Sequence, residues 1–472
     1  MKALLERITH HVVTTPDAIA LQDGEYRLSY RLLWSEIWAL VPQLVAWSGP
    51  QRRPLALAMD NGWRWVVTDL AAALTDIPLV PLPPFFTEQQ RQHVLKDSGC
   101  IGLVLAQDDA FVFLPCQSQA VTLPPGCCKI TYTSGTTGQP KGVCLCSSQL
   151  DATLMALAER IAPIAPLSHL CTMPLAVLLE NLAGVYLPLW LGKRIELCPM
   201  AELGLSSLQQ PNPARFIQRI ASSGAESLIL LPATLNWLVG AVAGGMVAAE
   251  RWKLLAVGGG KCARDLLLRA QNLQLPLFEG YGLSEVGSVV ALNGPQASSL
   301  GSVGKPLSHV EVAIAEDGEV LVRGNIMLGY LGAEPHAGDW LATGDLGELD
   351  SQGFLHIHGR KKSTIVTGFG RNVSPEWLEA ELLALPGVLQ AFVYGDEQLG
   401  IGALLFAPAV AGSPQADALL ASCNQQLPSY ARIGQWQFID TPLSAERGEL
   451  TANGRLRREH ILQTRINLEI ES

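Results

Sequence analysis

Ile130-Thr131-Tyr132-Thr133-Ser134-Gly135-Thr136-Thr137-Gly138-Gln139-Pro140-Lys141-Gly142 is the stretch on which the reading of this 472-residue chain turns. The β-branched and aromatic residues Ile130, Thr131 and Tyr132 suit the end of a strand. The ten residues from Thr133 to Gly142 then hold four hydroxyls, three glycines and one lysine. Such a loop can surround a polyphosphate: glycines let backbone N–H groups approach the oxygens closely, and Lys141 adds a point charge. A flexible Ser/Gly linker has no reason to carry a lone Lys inside a Pro-Lys-Gly turn. The GxxxxGK[ST] pattern does not match here, so the phosphate reading is independent of it.

Working outward, Leu55–Met59, Leu79–Leu82 and Leu103–Ala106 read as buried strands, with a helix at Trp63–Ala73. The rhythm resumes with apolar runs at Ile195–Cys198, Ser227–Leu231, Leu254–Val257 and Leu277–Phe278. Ala214–Ser222 and Arg264–Asn272 are helical in pattern between them. Strands alternating with helices predict mostly parallel sheets covered on both faces. From about 301 to 358, Val310–Ala315, Glu319–Arg323 and Phe354–His358 alternate between turns, which predicts a small antiparallel β subdomain. Ser374-Pro375-Glu376 then starts a helix, with Ser as cap and Pro at the first helical position. It stops at Pro386-Gly387, and strands Val388–Tyr394 and Ala403–Ala407 and helix Gln415–Gln426 follow. The predicted fold is α/β: a large N-terminal lobe (1–359), and a small mobile α+β C-terminal lobe (360–472) joined through Arg360-Lys361-Lys362-Ser363.

Composition narrows the class. Hydrophobic residues make up 48% and charged ones 16%, enough to bury a large core. A net charge of −10 argues against a general nucleic-acid binder, which needs clustered Lys and Arg. Met1–Arg7 lacks the apolar stretch of a secretory signal. Leu170–Gly192 is apolar, but Glu180, Asn181, Pro174 and Pro188 interrupt it, so it reads as a core segment rather than a membrane span. The expectation is a soluble, cytoplasmic protein with no transmembrane segment. The ten cysteines show no zinc-ligand spacing and read as free, mostly buried thiols.

Thr131–Gly142 resembles, at nearly every position, the signature of the adenylate-forming superfamily of acyl-CoA synthetases, peptide-synthetase adenylation domains and luciferases. The resemblance runs from about residue 10 to residue 460 and is closest to long-chain acyl-CoA synthetases. It implies that Thr133, Ser134, Gly135, Thr136, Thr137, Gly138 and Lys141 hold phosphates. Val257-Gly258-Gly259-Gly260 resembles the strand end that lies along adenine. Gly280-Tyr281-Gly282-Leu283-Ser284-Glu285 is similar to the Tyr-Gly-x-Thr-Glu motif, which puts Tyr281 on the adenine, Ser284 on phosphate and Glu285 on Mg²⁺. A hard carboxylate oxygen suits that ion. Thr343-Gly344-Asp345 matches the ribose motif, with Arg360 reaching the same sugar; a turn residue after a strand is the plainer reading of Asp345. Lys362 falls at the hinge position, where a solvated surface lysine would look the same. Gly368–Pro375 looks most like long-chain acyl-CoA synthetases.

Two departures matter. In Leu450–Arg458, which resembles the C-terminal Gly-Lys motif, Arg455 stands where the family has a catalytic Lys. A planar fork replaces a compact ammonium, and losing the role costs on the order of a hundred-fold in rate. Met173–Asn181 lacks the His or aromatic common beside the carboxylate pocket, and its aliphatic character points to an alkyl chain. The resemblance thus implies ATP- and Mg²⁺-dependent activation of a carboxylic acid, a medium- or long-chain fatty acid first, to acyl-AMP. Transfer to CoA or a carrier-protein phosphopantetheine would follow. Aryl or amino acids as substrates, and a degenerate member that binds ATP or acyl-AMP with weak turnover, are the alternatives.

Overall fold

The computed structural model describes residues 1–466, apart from 109, 135–139, 165, 206–210, 335, 337, 368–370, 397–399 and 452–453, and without the side chains of 134 and 414–416. Among the described residues, six short strands lie parallel in one sheet: Leu277–Tyr281, Leu254–Val257, Ser227–Leu230, Ser168–Leu170, Arg194–Leu197 and Ile19–Asp23, in that spatial order. Their apolar runs are short and unbroken because both faces are covered. One face meets helices Pro213–Ser222, Pro232–Ala243 and Arg264–Asn272 in a core of Leu228, Leu230, Leu255 and Val257. The other face meets helices Lys2–Thr14 and Ser147–Ile161 and a π-helical stretch, Glu180–Tyr186, that continues as Leu187–Trp190.

A second sheet places Cys127–Ser134, Leu79–Pro81, Leu55–Leu57 and Gly102–Gln107 side by side and parallel. The quoted segment forms a hairpin in it. Cys127–Ser134 pairs antiparallel with Pro140–Cys146, with Tyr132 opposite Gly142 and Thr133 opposite Lys141. Gly142 lets the strands pack closely: a Cβ there would stand 3.0 Å from the Tyr132 ring and from Ile130, tighter than an ordinary contact. The tip of the hairpin, Gly135, Thr136, Thr137, Gly138 and Gln139, lies outside the described residues, as do Gly368, Phe369 and Gly370.

The largest core joins the two sheets, and it contains charge. Lys129 Nζ lies 2.8 Å from Asp69 Oδ1, both side chains buried. The ammonium also donates to Tyr186 Oη at 2.6 Å and to Asn181 Oδ1, while Asn181 Nδ2 donates to Asp69 Oδ2 at 2.9 Å. Tyr186 Oη donates to Asp69 Oδ2 as well. Both carboxylate oxygens are therefore bonded, which offsets the cost of taking an ion pair out of water. Glu180 and Asn181, which interrupt the apolar Leu170–Gly192 run, are interior polar anchors. None of the described helices is long and apolar enough to cross a membrane.

Strands Val310–Ile314, Glu319–Gly324, Trp340–Leu349 and Leu355–Arg360 form the expected antiparallel unit. Trp340–Leu349 is an addition to the sequence reading, and it carries Asp345, for which a turn was the alternative to the ribose role, in mid-strand opposite Arg360. Beyond it, Ser374 caps helix Pro375–Leu383 by accepting from Trp377 N. Strands Gln390–Asp396, Gly400–Phe406 and Gln435–Phe438 build a small sheet with its own core.

Replacing Lys129 by Ala strands Asp69 without its charge partner, so urea titration should read a loss of about 3–5 kcal/mol in unfolding free energy. Lys129→Met with Asp69→Leu removes both charges and should recover most of that loss. Equal losses in the two variants would contradict this account of the core.

Candidate functional site

Parallel strands deliver their C-terminal ends to one edge of a sheet, and that edge is where a cleft forms. Val257 pairs with Glu279, so Gly258-Gly259-Gly260 and Tyr281-Gly282 emerge as neighbours. The backbones touch: a Cβ on Gly258 would stand 3.3 Å from Gly280 O, and one on Gly282 would fall onto Ser288 O. Gly259 has φ +75°, which a side chain would strain. The chain then turns through Ser284–Val286, carrying Ser284 and Glu285 to the cleft.

Asp345 enters from the antiparallel unit. Tyr281 Oη donates to its Oδ2 at 2.6 Å, and Arg360 Nε lies 2.9 Å from Oδ1. Asp345 is 7% exposed while Arg360 is 48% exposed, so the carboxylate is sunk and its arginine faces the cleft. Burial pushes the Asp345 carboxyl up, against the pull of Arg360 and the Tyr281 hydroxyl. Burial and the Asp345 charge raise Tyr281 well above its ordinary value, so it stays a donor. Arg360 is braced by donating to Thr343 O at 3.2 Å.

Glu285 and Lys141 meet through a residue the motif reading does not single out. Tyr330 Oη donates to Glu285 Oε1 at 2.9 Å, and Lys141 Nζ sits 5.6 Å from the Tyr330 ring centroid. Tyr330 is placed by pairing with Val143 on the hairpin. The remaining Glu285 oxygen, a hard donor on a half-buried carboxylate, fits a divalent cation such as Mg²⁺. Thr133 is half-buried at the hairpin, and the side chain of Ser134 lies outside the description.

Arg455 comes to this cleft from the far end of the sequence. It closes a turn in which Arg455 N donates to Thr451 Oγ1 at 2.9 Å and Thr451 N to Arg455 O at 2.7 Å. The residue is solvent-exposed, yet protein crowds its guanidinium: burial lowers its pKa, the Arg360 charge adds to that, and Glu285 and Asp345 oppose it. Lys141, Glu285, Asp345, Arg360 and Arg455 thus share one neighbourhood. Lys362 is exposed in the turn Lys361–Ser363, whereas Lys361 pairs with Glu319 at 2.8 Å and with Asp317.

A cavity of about 40 Å³ lies between the parallel sheet and the helical segments Ser147–Ile161 and Glu180–Tyr186, lined by Leu157, Ile161, Ala183, Leu187, Ile229 and Ala256 among others. Ala256 precedes Gly258 by two strand residues, about 7 Å. Met173–Asn181 does not border this cavity: Leu175 and Leu178 pack in the main core, and Asn61 grips the backbone of Met173 and Leu175 at 2.8 Å each. His169 and Ser227 also border the cavity but bond each other at 3.0 Å. His169, Cys171 and Glu180 cluster behind it, with His169 Nε2 3.2 Å from Glu180 Oε1. All ten cysteines are free.

The model of the AMP-binding enzyme family matches residues 8–124 and 117–331. The long-chain-fatty-acid–CoA ligase FadD15 of Mycobacterium tuberculosis is 32% identical over 325 residues, 58% of this chain; the match spans about half of that relative, 53% of its length. A 2-succinylbenzoate–CoA ligase of Bacillus licheniformis is 27% identical over 469 residues, 90% of this chain and 94% of that protein. Among solved structures, o-succinylbenzoate CoA synthetase from Bacillus subtilis with the acyl-adenylate intermediate OSB-AMP has a TM-score of 0.77 at 23% identity, covering 96% of this chain and 97% of that one. The anthranilate CoA ligase AuaEII with anthranoyl-AMP has a TM-score of 0.82 at 17% identity, covering 98% and 96%. The fold, a large N-terminal and a smaller C-terminal lobe, is theirs.

Asp345→Asn keeps the shape of the side chain and removes the charge facing Arg360. Calorimetric titration with AMP should find affinity reduced about ten- to hundred-fold. Unchanged affinity would exclude a part for Asp345 in nucleotide binding.

Proposed function

The chain belongs to the AMP-binding enzyme family, and on that premise we propose that it activates a carboxylic acid with ATP to an acyl adenylate and passes the acyl group to the thiol of CoA. In the first half-reaction a carboxylate oxygen of the acid attacks the α-phosphorus of ATP. The bond to the bridging oxygen breaks, and pyrophosphate leaves. The substrate supplies the nucleophile, so the protein's contribution is position and charge. Asp345 accepts from the ribose hydroxyls with Arg360 beside it, and Tyr281 lies along the adenine with Gly258, Gly259 and Gly282. Thr133, Ser134, Gly135, Thr136, Thr137, Gly138, Lys141 and Ser284 receive the phosphates. Glu285 would hold Mg²⁺, which when bound offsets phosphate charge. Arg455 stands near the reacting centre. In the second half-reaction the thiol sulfur attacks the acyl carbon, the thiol proton is lost, and AMP leaves. The lobe 360–472 rotates between the two steps about Lys362.

The observation that carries this reading is the convergence of Glu285, Asp345, Arg360 and Arg455, from widely separated segments, on one cleft. Within it, the acid is a medium- or long-chain fatty acid. The aliphatic lining beside Ala256 favours alkyl carbons over polar groups, with His169 and Ser227 bonded to each other. Because about 40 Å³ is well under the roughly 150 Å³ that takes one benzene ring, its side chains would move apart to admit a chain. A second reading, an aryl acid, has support from the 2-succinylbenzoate–CoA ligases that align over nine tenths of the chain. A carrier-protein phosphopantetheine is the alternative acceptor.

ATP–pyrophosphate exchange with a panel of acids separates these readings. Exchange with C8–C16 acids is the expected outcome, and exchange confined to aryl or amino acids would reverse it. Arg455→Ala should reduce exchange roughly a hundred-fold, the scale of removing a charged donor from a transition state. No exchange with any acid, restored by Arg455→Lys, would instead identify a nucleotide-binding member with lapsed catalysis.

A further inference from the structure

Arg455 reaches the cleft on a short C-terminal segment, and the segment needs an anchor. Three residues on, Arg458 turns toward helix Pro375–Leu383. Its guanidinium NH2 lies 2.7 Å from Glu379 Oε2 and 3.4 Å from Glu376 Oε1. NH1 donates to Val393 O at 3.1 Å, and the guanidinium carbon sits 5.6 Å from the Phe392 ring centroid. Glu379 spends its other oxygen on Val393 N at 2.9 Å, and Ser374 Oγ donates to Glu376 Oε2 at 2.9 Å. A buried carboxylate with both oxygens engaged fixes the angle at which Arg458 meets the helix.

The helix is fixed in turn to the nucleotide side of the cleft. It starts against Gly359, where a Cβ would collide with the Ser374 side chain, and Gly359 precedes Arg360. Glu376 is close enough to act on the Asp345 carboxyl. The line therefore runs from Asp345 and Arg360, through the helix start, to Glu379, Arg458 and Arg455. Burial pushes the Glu379 carboxyl up to about 7 while Arg458 draws it back toward the ionised form.

We propose that the Glu379–Arg458 pair, with Glu376 beside it, is a positioning device that holds Arg455 over the cleft and serves adenylate formation rather than thiol transfer. The division between half-reactions rests on the activity proposed above; the anchoring does not. The segment has other supports, so losing this pair should loosen it without unfolding the lobe. Arg457 N donates to Glu449 O at 2.8 Å, and Leu450 and Ile461 pack with Phe392, Leu404 and Leu443.

Glu379→Gln keeps the shape and turns an amide N–H₂ or a weaker acceptor toward Arg458. In the full-length variant, kcat for ATP–pyrophosphate exchange should fall on the order of ten- to hundred-fold, the cost of misplacing a catalytic group by about an ångström. KM for ATP and the rate of thiol transfer from preformed acyl-AMP should stay at wild-type values. Glu379→Asp should recover part of the loss. Hydrogen exchange should become faster at residues 449–461 in Glu379→Gln. An unchanged exchange rate, or equal losses in both half-reactions, would overturn the proposal. If the wild-type chain exchanges with no acid, the proposed activity fails, and hydrogen exchange alone decides: faster at 449–461 upholds the anchor, unchanged overturns it.

Discussion

A buried ammonium, Lys129 Nζ, organises the large lobe. Lys129 lies on the strand that runs into the glycine-rich hairpin, Asp69 on the helix Trp63–Leu74, and Asn181 and Tyr186 on the helical stretch beside the apolar cavity. One network therefore sets the hairpin, the inter-sheet helix and a cavity wall relative to each other. Apolar packing of the same residues would hold the layers together, but it tolerates sliding. A bonded charge in a low-dielectric core does not, because every shift leaves a donor or acceptor unpaired.

The cleft follows the opposite rule. Its charges are kept partly open, with Arg360 and Arg455 exposed and only Asp345 sunk beneath them. A polyanionic ligand would then meet cations whose hydration is incomplete and whose positions are held from behind. Asp345 holds Arg360, and Tyr330 holds Glu285. By the inference drawn above, Glu379 holds Arg455 through Arg458. Preorganisation of that kind lowers the cost of meeting charge as it develops.

The alternation of strands and helices was legible because each parallel strand is a short apolar run buried on both faces, as at Ser227–Leu230 and Leu254–Val257. Strand Trp340–Leu349 was not. Gly344 at φ +72° and a register shift near Leu346 interrupt the period of two that would reveal it. Lys129 gives no sign of its role, since its partners lie more than fifty residues away. The site residues could be named from motifs, but Tyr330 could not, because strand pairing alone brings it to Glu285. The apolar cavity has no signature of its own: Ala183 and Leu187 border it, while the equally aliphatic Leu175 and Leu178 do not. Aliphatic side chains look alike in sequence whether they line a void or fill one.

The most direct measurement is a crystal structure of the chain with a non-hydrolysable dodecanoyl-adenylate analogue. The expected result is ribose hydroxyls on Asp345, the acyl-phosphate linkage beside Arg455, and the alkyl chain running past Ala256 toward Ala183 and Leu157. An adenylate bound away from Asp345, or a chain lying outside that cavity, would contradict it.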